Sequence, residues 1–455
     1  MRKINYILAT VLTLFVLHSC SYTDLQPTDM VGPDEAFKDV ASVHKAVIGA
    51  YGKMSLRNKL AIAEYIADDV MQGGDAGGTG TDLASWVYAA SSGDASSFWG
   101  NAYSLINQCN RILYFGPEAA IQDEAEKEQL NNELGTAYFF RAYAHFELLC
   151  FFSDFGNDDK LGIPYVSHYH ILGQPARDKV GECYEQLMLD LDRAYNMITE
   201  EIHSDNAYVS KVAVNALRAR ISLYHKKYTH ALVYASDVLR KVEMAERNEV
   251  AEVWTDKSEA GIIFKLPRTS GQANIGGCFV GGDNSSVFKP TSEYMNSYVS
   301  GDIRSDVFYG KGPDRSGNQV DVVMKWYGGG SNIGLCDEKL LRAEEMKLIK
   351  AEAEARLDKM TDANTTLNEL RAMRITGWVA QTYDQSTILE EILKERRREL
   401  AFEGHRLFDL RRFGKNIERN GKVLEANNYH MILPIPTAEL DANENINQED
   451  QNPGY

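Results

Sequence analysis

Residues 396–412, RRRELAFEGHRLFDLRR, hold six arginines (Arg396, Arg397, Arg398, Arg406, Arg411 and Arg412) against three acids, Glu399, Glu403 and Asp409. Guanidinium at that density is the chemistry of phosphate and nucleic-acid binding. The chain as a whole points the other way, with 48 Lys and Arg against 65 Asp and Glu, a net charge of −17. Polyanion binding draws most of its affinity from counterions released by a broad positive field. An acidic chain does not present one, so the composition argues against a nucleic-acid partner.

Other residue patterns that could do chemistry are sparse. Ser42–Val–His–Lys45 matches the S-x-x-K of acyl-transfer enzymes, but no K-T-G follows it. His168 and His170 form an H-x-H without an obvious third metal ligand. The run DDVMQGGD, 68–75, invites calcium but lacks EF-hand spacing, which favours solvated acids and no bound metal. There is no HExxH, GxSxG or Walker A sequence, and no strand–GxGxxG–helix fingerprint. Paired glycosidase carboxylates would leave no spacing to read, so a hydrolase stays formally open.

The elements that would position such residues are mostly helical. QLNNELGTAYFFRAYAHFELLCFF, 129–152, turns apolar on nearly every side in its second half, which predicts a central buried helix. Residues 209–242 read as two antiparallel helices, with Ser210 as cap, HKKY as turn, and Ala231, Ala235 and Val238 lining the second. Residues 338–374 repeat the design around KMTDAN, a looser pair spans 98–115 and 129–152, and 180–199 is a further helix. One short strand is expected in EAGIIFKLP, 259–267. The fold class is mostly α, with tetratricopeptide-like helical hairpins, minor β and long irregular loops. The two longest irregular stretches, 68–97 and 267–337, carry glycine clusters, and recognition belongs there more than on the hairpins.

Within this frame the arginines acquire a structural reading. Residues 387–404 parse as a helix, with Thr387 and Glu390 as a capping box and Gly404 past its end. The apolar stripe runs Leu389, Leu393, Arg396, Leu400, so Arg396 must be buried and must meet a carboxylate. Glu399 and Glu403 are near in sequence, and other hairpins supply more acids. Phe408 would drop into the same seam. An anion site made by Arg396, His405 and Arg406 is the functional alternative, and the ion-paired seam is favoured over it.

At the N-terminus, MRKINYILATVLTLFVLHSC joins a positive Arg2–Lys3 pair to an apolar run, 4–17. That run is shorter than the roughly 20 residues of a spanning helix and has the flanks of an export signal. LHSC resembles a bacterial lipobox, with Cys20 as the lipidated first residue of the mature chain and 1–19 as signal peptide. The polar stretch 20–35 reads as a tether. The remaining cysteines, 109, 150, 183, 278 and 336, are odd in number and scattered, which is no disulfide framework.

ERRRELAFEGHRLFDLRR, 395–412, resembles the signature of the SusD/RagB family, surface lipoproteins of Bacteroidetes glycan-utilisation systems. The lipobox and the segments 36–54, 98–113, 137–166, 214–239, 342–355 and 433–455 match that family in the same order. Leu407 departs from it, standing where members often carry Trp. The resemblance implies a single domain over 36–455, with an N-terminal part to about 250 and a C-terminal part from about 251. It implies an outer-membrane, surface-exposed protein that delivers oligosaccharide to a TonB-dependent, SusC-like transporter, with no catalytic residues and no cofactor. Relatives of the fold that handle peptides, and adaptors that bind protein alone, are the alternatives.

Sugars present apolar C–H faces and many hydroxyls, so their sites call for exposed aromatic rings beside carboxylates and amides. Trp86 and Tyr88, with Trp326 and Tyr327 before GGGSN, form the expected platform. Asp69, Asp75, Asp283 and Asn284, with Asp68 beside them, are the expected hydroxyl partners. Trp99, Trp254 and Trp378 are assigned to packing.

Overall fold

The computed structural model describes residues 32–455 except 171, 273 and 331. The signal peptide, Cys20 and the tether as far as residue 31 lie outside the described residues. The longer helices are α1 (Val40–Lys53), α2 (Arg57–Ile66), α3 (Gly93–Phe115), α4 (Glu124–Phe152), α5 (Val180–Met197), α6 (Lys211–Tyr224), α7 (Tyr228–Leu239), α8 (Ala343–Arg356), α9 (Met360–Arg374), α10 (Ile388–Glu399) and α11 (Arg406–Arg412). Consecutive members from α3 to α9 pack side by side, and α10 lies against α8 and α9. The fold is mostly α.

Local chemistry accounts for these helices. Asp123 caps α4 by accepting from the Glu126 amide at 2.9 Å, and every residue from Leu134 to Phe152 except Tyr138 is buried. The Ser210 hydroxyl accepts from the Ala213 amide to start α6. Lys226, at φ +59°, turns the chain into α7, whose Ala231, Ala235 and Val238 are fully buried against α6. Small side chains there let the two backbones approach closely.

Three boundaries differ from the sequence reading. Glu338–Arg342 is a strand and not the start of α8, because it pairs antiparallel with the expected strand Ile262–Leu266. The turn between α8 and α9 falls at 357–359, with Asp358 at φ +61°. At the head of α10 the Thr387–Glu390 box does not form. Asp384 takes its place, accepting from the amides of Ser386 (3.0 Å) and Thr387 (3.1 Å) and from the Thr387 hydroxyl (2.8 Å). The helix closes at Leu400, and both Phe402 and Gly404 carry positive φ beyond it.

The charged seam is interior. Arg396 is 1 % exposed, as its stripe position requires, but its partner is Asp409 at 2.9 Å and not Glu399 or Glu403. Glu399 instead meets Arg304 and Arg374, each at 3.1 Å, while Glu403 meets Arg342 at 2.7 Å and Lys325 at 2.6 Å. Arg397 pairs with Asp69, Arg398 with Glu395, Arg406 with Asp68, and Arg412 with Glu352 and Asp409. These contacts tie α10 and α11 to α8, α9 and the segment that follows α2. Removing one partner of such a buried pair costs about 3–5 kcal/mol, because the other is stranded without water. Phe408 completes the seam against Phe151, 4.9 Å between ring centres.

Candidate functional site

The two glycine-rich stretches meet through their strands. β1 (Val70–Gln72) pairs antiparallel with β3 (Phe288–Pro290), in the register Val70↔Pro290 and Gln72↔Phe288. β2 (Ile262–Leu266) stands apart from this junction with its own partner, while β4 (Tyr309–Pro313) and β5 (Gln319–Val323) form a hairpin beside it. Glycine at 73 is required by the approach: a Cβ there would lie 2.1 Å from the Ser286 carbonyl oxygen. Gly276 is held as closely, against the Trp326 carbonyl oxygen.

Three loops converge past this junction. Asp75 Oδ2 accepts from the Ser286 amide at 2.9 Å and from the Arg315 amide at 3.1 Å. Arg315, at the tip of the β4–β5 hairpin, donates from Nε to Asp283 Oδ2 at 3.0 Å. The Ser285 hydroxyl and amide, with Arg315 after them, hold the Asp283 carboxyl down to about 2. Asn284 turns the loop at φ +64° and is partly exposed. Asp75 and Asp283 are thus brought together through Arg315, with Asp283 and Arg315 exposed to solvent and Asp75 and Asn284 partly so. Arg315 was missed by the sequence reading. PDRSGN between two alternating runs marks the hairpin tip, but nothing local says which loop the tip will touch.

The aromatic platform is corrected by the structure. Trp326 is 1 % exposed, gives its indole N–H to the Phe402 carbonyl, and packs edge-on against Trp254 at 4.9 Å. Trp86 is buried, donates to the Ile66 carbonyl at 2.9 Å, and carries the Arg419 guanidinium over its ring. Tyr88 is buried too, with its hydroxyl on the His430 carbonyl. Tyr327 is half-buried. A large ring with one N–H or O–H is more stable inside, provided a carbonyl satisfies that donor. Remote segments supply it here, through the carbonyls of Ile66, Phe402 and His430. Asp69 and Asp68 are likewise buried, as partners of Arg397 and Arg406, so neither faces a ligand. Burial and the neighbouring Asp68 raise the Asp69 carboxyl, whereas Arg406 and Arg397 hold Asp68 low. His168 meets the Ser167 hydroxyl at 2.7 Å, and no metal-holding group of three His, Cys, Asp or Glu occurs among the described residues.

Two family models match the chain. One, described as the SusD family, spans 283–455, and the other, described as starch-binding associating with outer membrane, spans 40–223. SusD-like protein P2 of Formosa agariphila is 23 % identical over 519 residues, covering 99 % of this chain and all of that protein. A SusD superfamily structure from Bacteroides vulgatus superposes with a TM-score of 0.81 at 24 % identity, over 92 % of this chain and 100 % of that one. One from Bacteroides thetaiotaomicron gives 0.78 at 25 %, over 91 % and 100 %. The surface glycan-binding protein A of Bacteroides fluxus gives 0.75 at 19 %, over 91 % and 99 %. The chain belongs to the SusD/RagB family.

Proposed function

We propose that this protein binds an oligosaccharide at the junction of loops 73–75, 281–286 and 314–316, without hydrolysing it. We propose further that, lipid-anchored through Cys20 at the outer-membrane surface, it delivers the sugar to a TonB-dependent, SusC-like transporter. The observation that carries the binding site is the convergence of Asp75, Asp283, Asn284 and Arg315 from three distant loops. Two carboxylates accept from sugar hydroxyls, while the amide and guanidinium donate to hydroxyl and ring oxygens. Support for the sugar comes from the starch-binding description of one matching model and from the glycan-binding neighbour.

A glycan array followed by calorimetry tests this reading. The triple variant Asp75→Ala/Asp283→Ala/Arg315→Ala is expected to keep its melting temperature within a few degrees and lose about tenfold or more in affinity. Undiminished binding would move the site elsewhere. Purification from detergent-solubilised outer membranes should bring a large β-barrel with it, and bound glycan should be recovered uncleaved.

A further inference from the structure

Of the six arginines in 396–412, Arg411 alone has no carboxylate within 4 Å among the described residues. Its Nη1 donates to the Cys150 carbonyl and its Nη2 to the Ser153 carbonyl at 2.6 Å, with the guanidinium 4.5 Å over the Phe155 ring. Arg177, 8 % exposed, shares this condition among the described residues. It gives Nε to the Gly162 carbonyl at 2.8 Å and Nη2 to the carbonyls of Phe152 and Leu161 and to Asn452 Oδ1, while Nη1 reaches the Asp450 carbonyl. Carbonyls satisfy the N–H groups but bring no countercharge. Burial accordingly lowers both guanidiniums, Arg177 to about 10.

Both arginines line one cavity of about 490 Å³. Lys160 is a third cation on its wall, against the two carboxylates of Asp154 and Glu449. In a chain of net charge −17 this is a local excess of positive charge. The same wall presents Tyr429, 41 % exposed, and the exposed amide of Asn427. A second cavity of about 590 Å³ shares Asp154 and Arg411 with the first and is also lined by Lys226, Lys227 and Arg412, against the further carboxylate of Asp158. The two adjoin at Asp154 and Arg411 and are treated together as one trough. It lies between the 154–177 loops, the α6–α7 turn and the C-terminal segment, and shares no lining residue with the Asp75–Asp283–Arg315 junction.

We propose that this trough is a second glycan site, selective for acidic oligosaccharides, in which a sugar carboxylate or sulfate meets the Arg411 and Arg177 guanidiniums and a sugar face rests on Tyr429. The anion supplies the countercharge that the carbonyls lack, and since those carbonyls already engage the guanidinium nitrogens, the attraction is mainly one of charge and not of paired hydrogen bonds. The proposal extends the glycan-binding reading to a different site and a narrower ligand class.

Calorimetry on the full chain tests it with tetragalacturonate, its methyl ester and a sulfated galactan tetrasaccharide. At least one acidic probe is expected to bind about tenfold or more tighter than the neutral ester. That preference should weaken steeply between about 50 and 500 mM NaCl. Tyr429→Ala and Lys160→Gln, both at exposed positions, should each lower the acidic affinity severalfold, and Arg411→Gln should abolish the preference. The uronate and sulfate arms separate the two sources of charge. Equal affinity for acid and ester, failure of both acidic probes to bind, or acidic binding untouched by Tyr429→Ala and Lys160→Gln would overturn the proposal. If a neutral glycan still binds through Asp75 and Asp283 in those cases, only the acidic site falls.

Discussion

Gly73 and Ser286 approach so closely that a Cβ on residue 73 would stand 2.1 Å from the Ser286 carbonyl oxygen, while the Gly73 amide donates to Val287 at 2.8 Å. The contact joins stretches more than two hundred residues apart and sets the spacing of the Asp75–Arg315–Asp283 group. Gly73→Ala must push backbone against backbone, at about 1–3 kcal/mol. The fold is expected to survive, with amide exchange in 281–287 accelerated and glycan affinity reduced. Unchanged exchange in that segment would show that the junction tolerates the methyl.

Trp326 is a packing residue, so its loss is expected to act on stability. Trp326→Ala should destabilise by about 3–5 kcal/mol in urea unfolding, the range for deleting a buried aromatic. A variant of wild-type stability that had lost glycan binding would restore the ring to the ligand.

Arg220 and Glu345 form a two-pronged pair at 2.6 Å on each prong, both nearly inaccessible. Glu345→Ala strands the guanidinium and is expected to cost about 3–5 kcal/mol. The double variant Arg220→Met/Glu345→Leu should recover most of that, since an apolar pair of similar volume needs no charge compensation. A double variant less stable than Glu345→Ala would refute this account.

Acid should unfold the seam. Burial pushes the Glu395 carboxyl up, and the guanidiniums of Arg304, Arg371 and Arg398 overcome it and hold the group at about 2. Glu399 stands at about 2 through Arg374, Arg304 and Arg342 acting against the same burial. A carboxylate depressed in the folded state stabilises fully above its unfolded value, near 4.3, and loses that contribution as pH falls toward the folded value. Each is worth on the order of 3 kcal/mol, lost between about pH 4.5 and 2. Urea midpoints measured across that window should fall steeply, and Glu395→Gln should be less stable at pH 7 with a shallower acid slope.

Much of the scaffold was legible. The hairpin 209–242, the buried half of 129–152 and the placing of Arg396 on an interior stripe all follow from 3.6-residue periodicity, a property of neighbours in sequence. The errors have causes of their own. Residues 338–342 look helical but pair with 262–266, so tertiary pairing overrode local preference. Trp86 and Trp326 sit among glycines, and glycine says only that the backbone is free to bend, not toward which side.

By itself, then, the order of residues determined a stack of helices closed by an internal lattice of charges, because a guanidinium on an apolar stripe must find acceptors inside, and carboxylates are plentiful in this chain. Tertiary structure alone decided that Arg396 meets Asp409, that Arg411 meets no acid among the described residues, and that Arg315 reaches Asp283. Partner choice and ring exposure depend on contacts between segments far apart along the chain, and no local pattern encodes a distance across the fold.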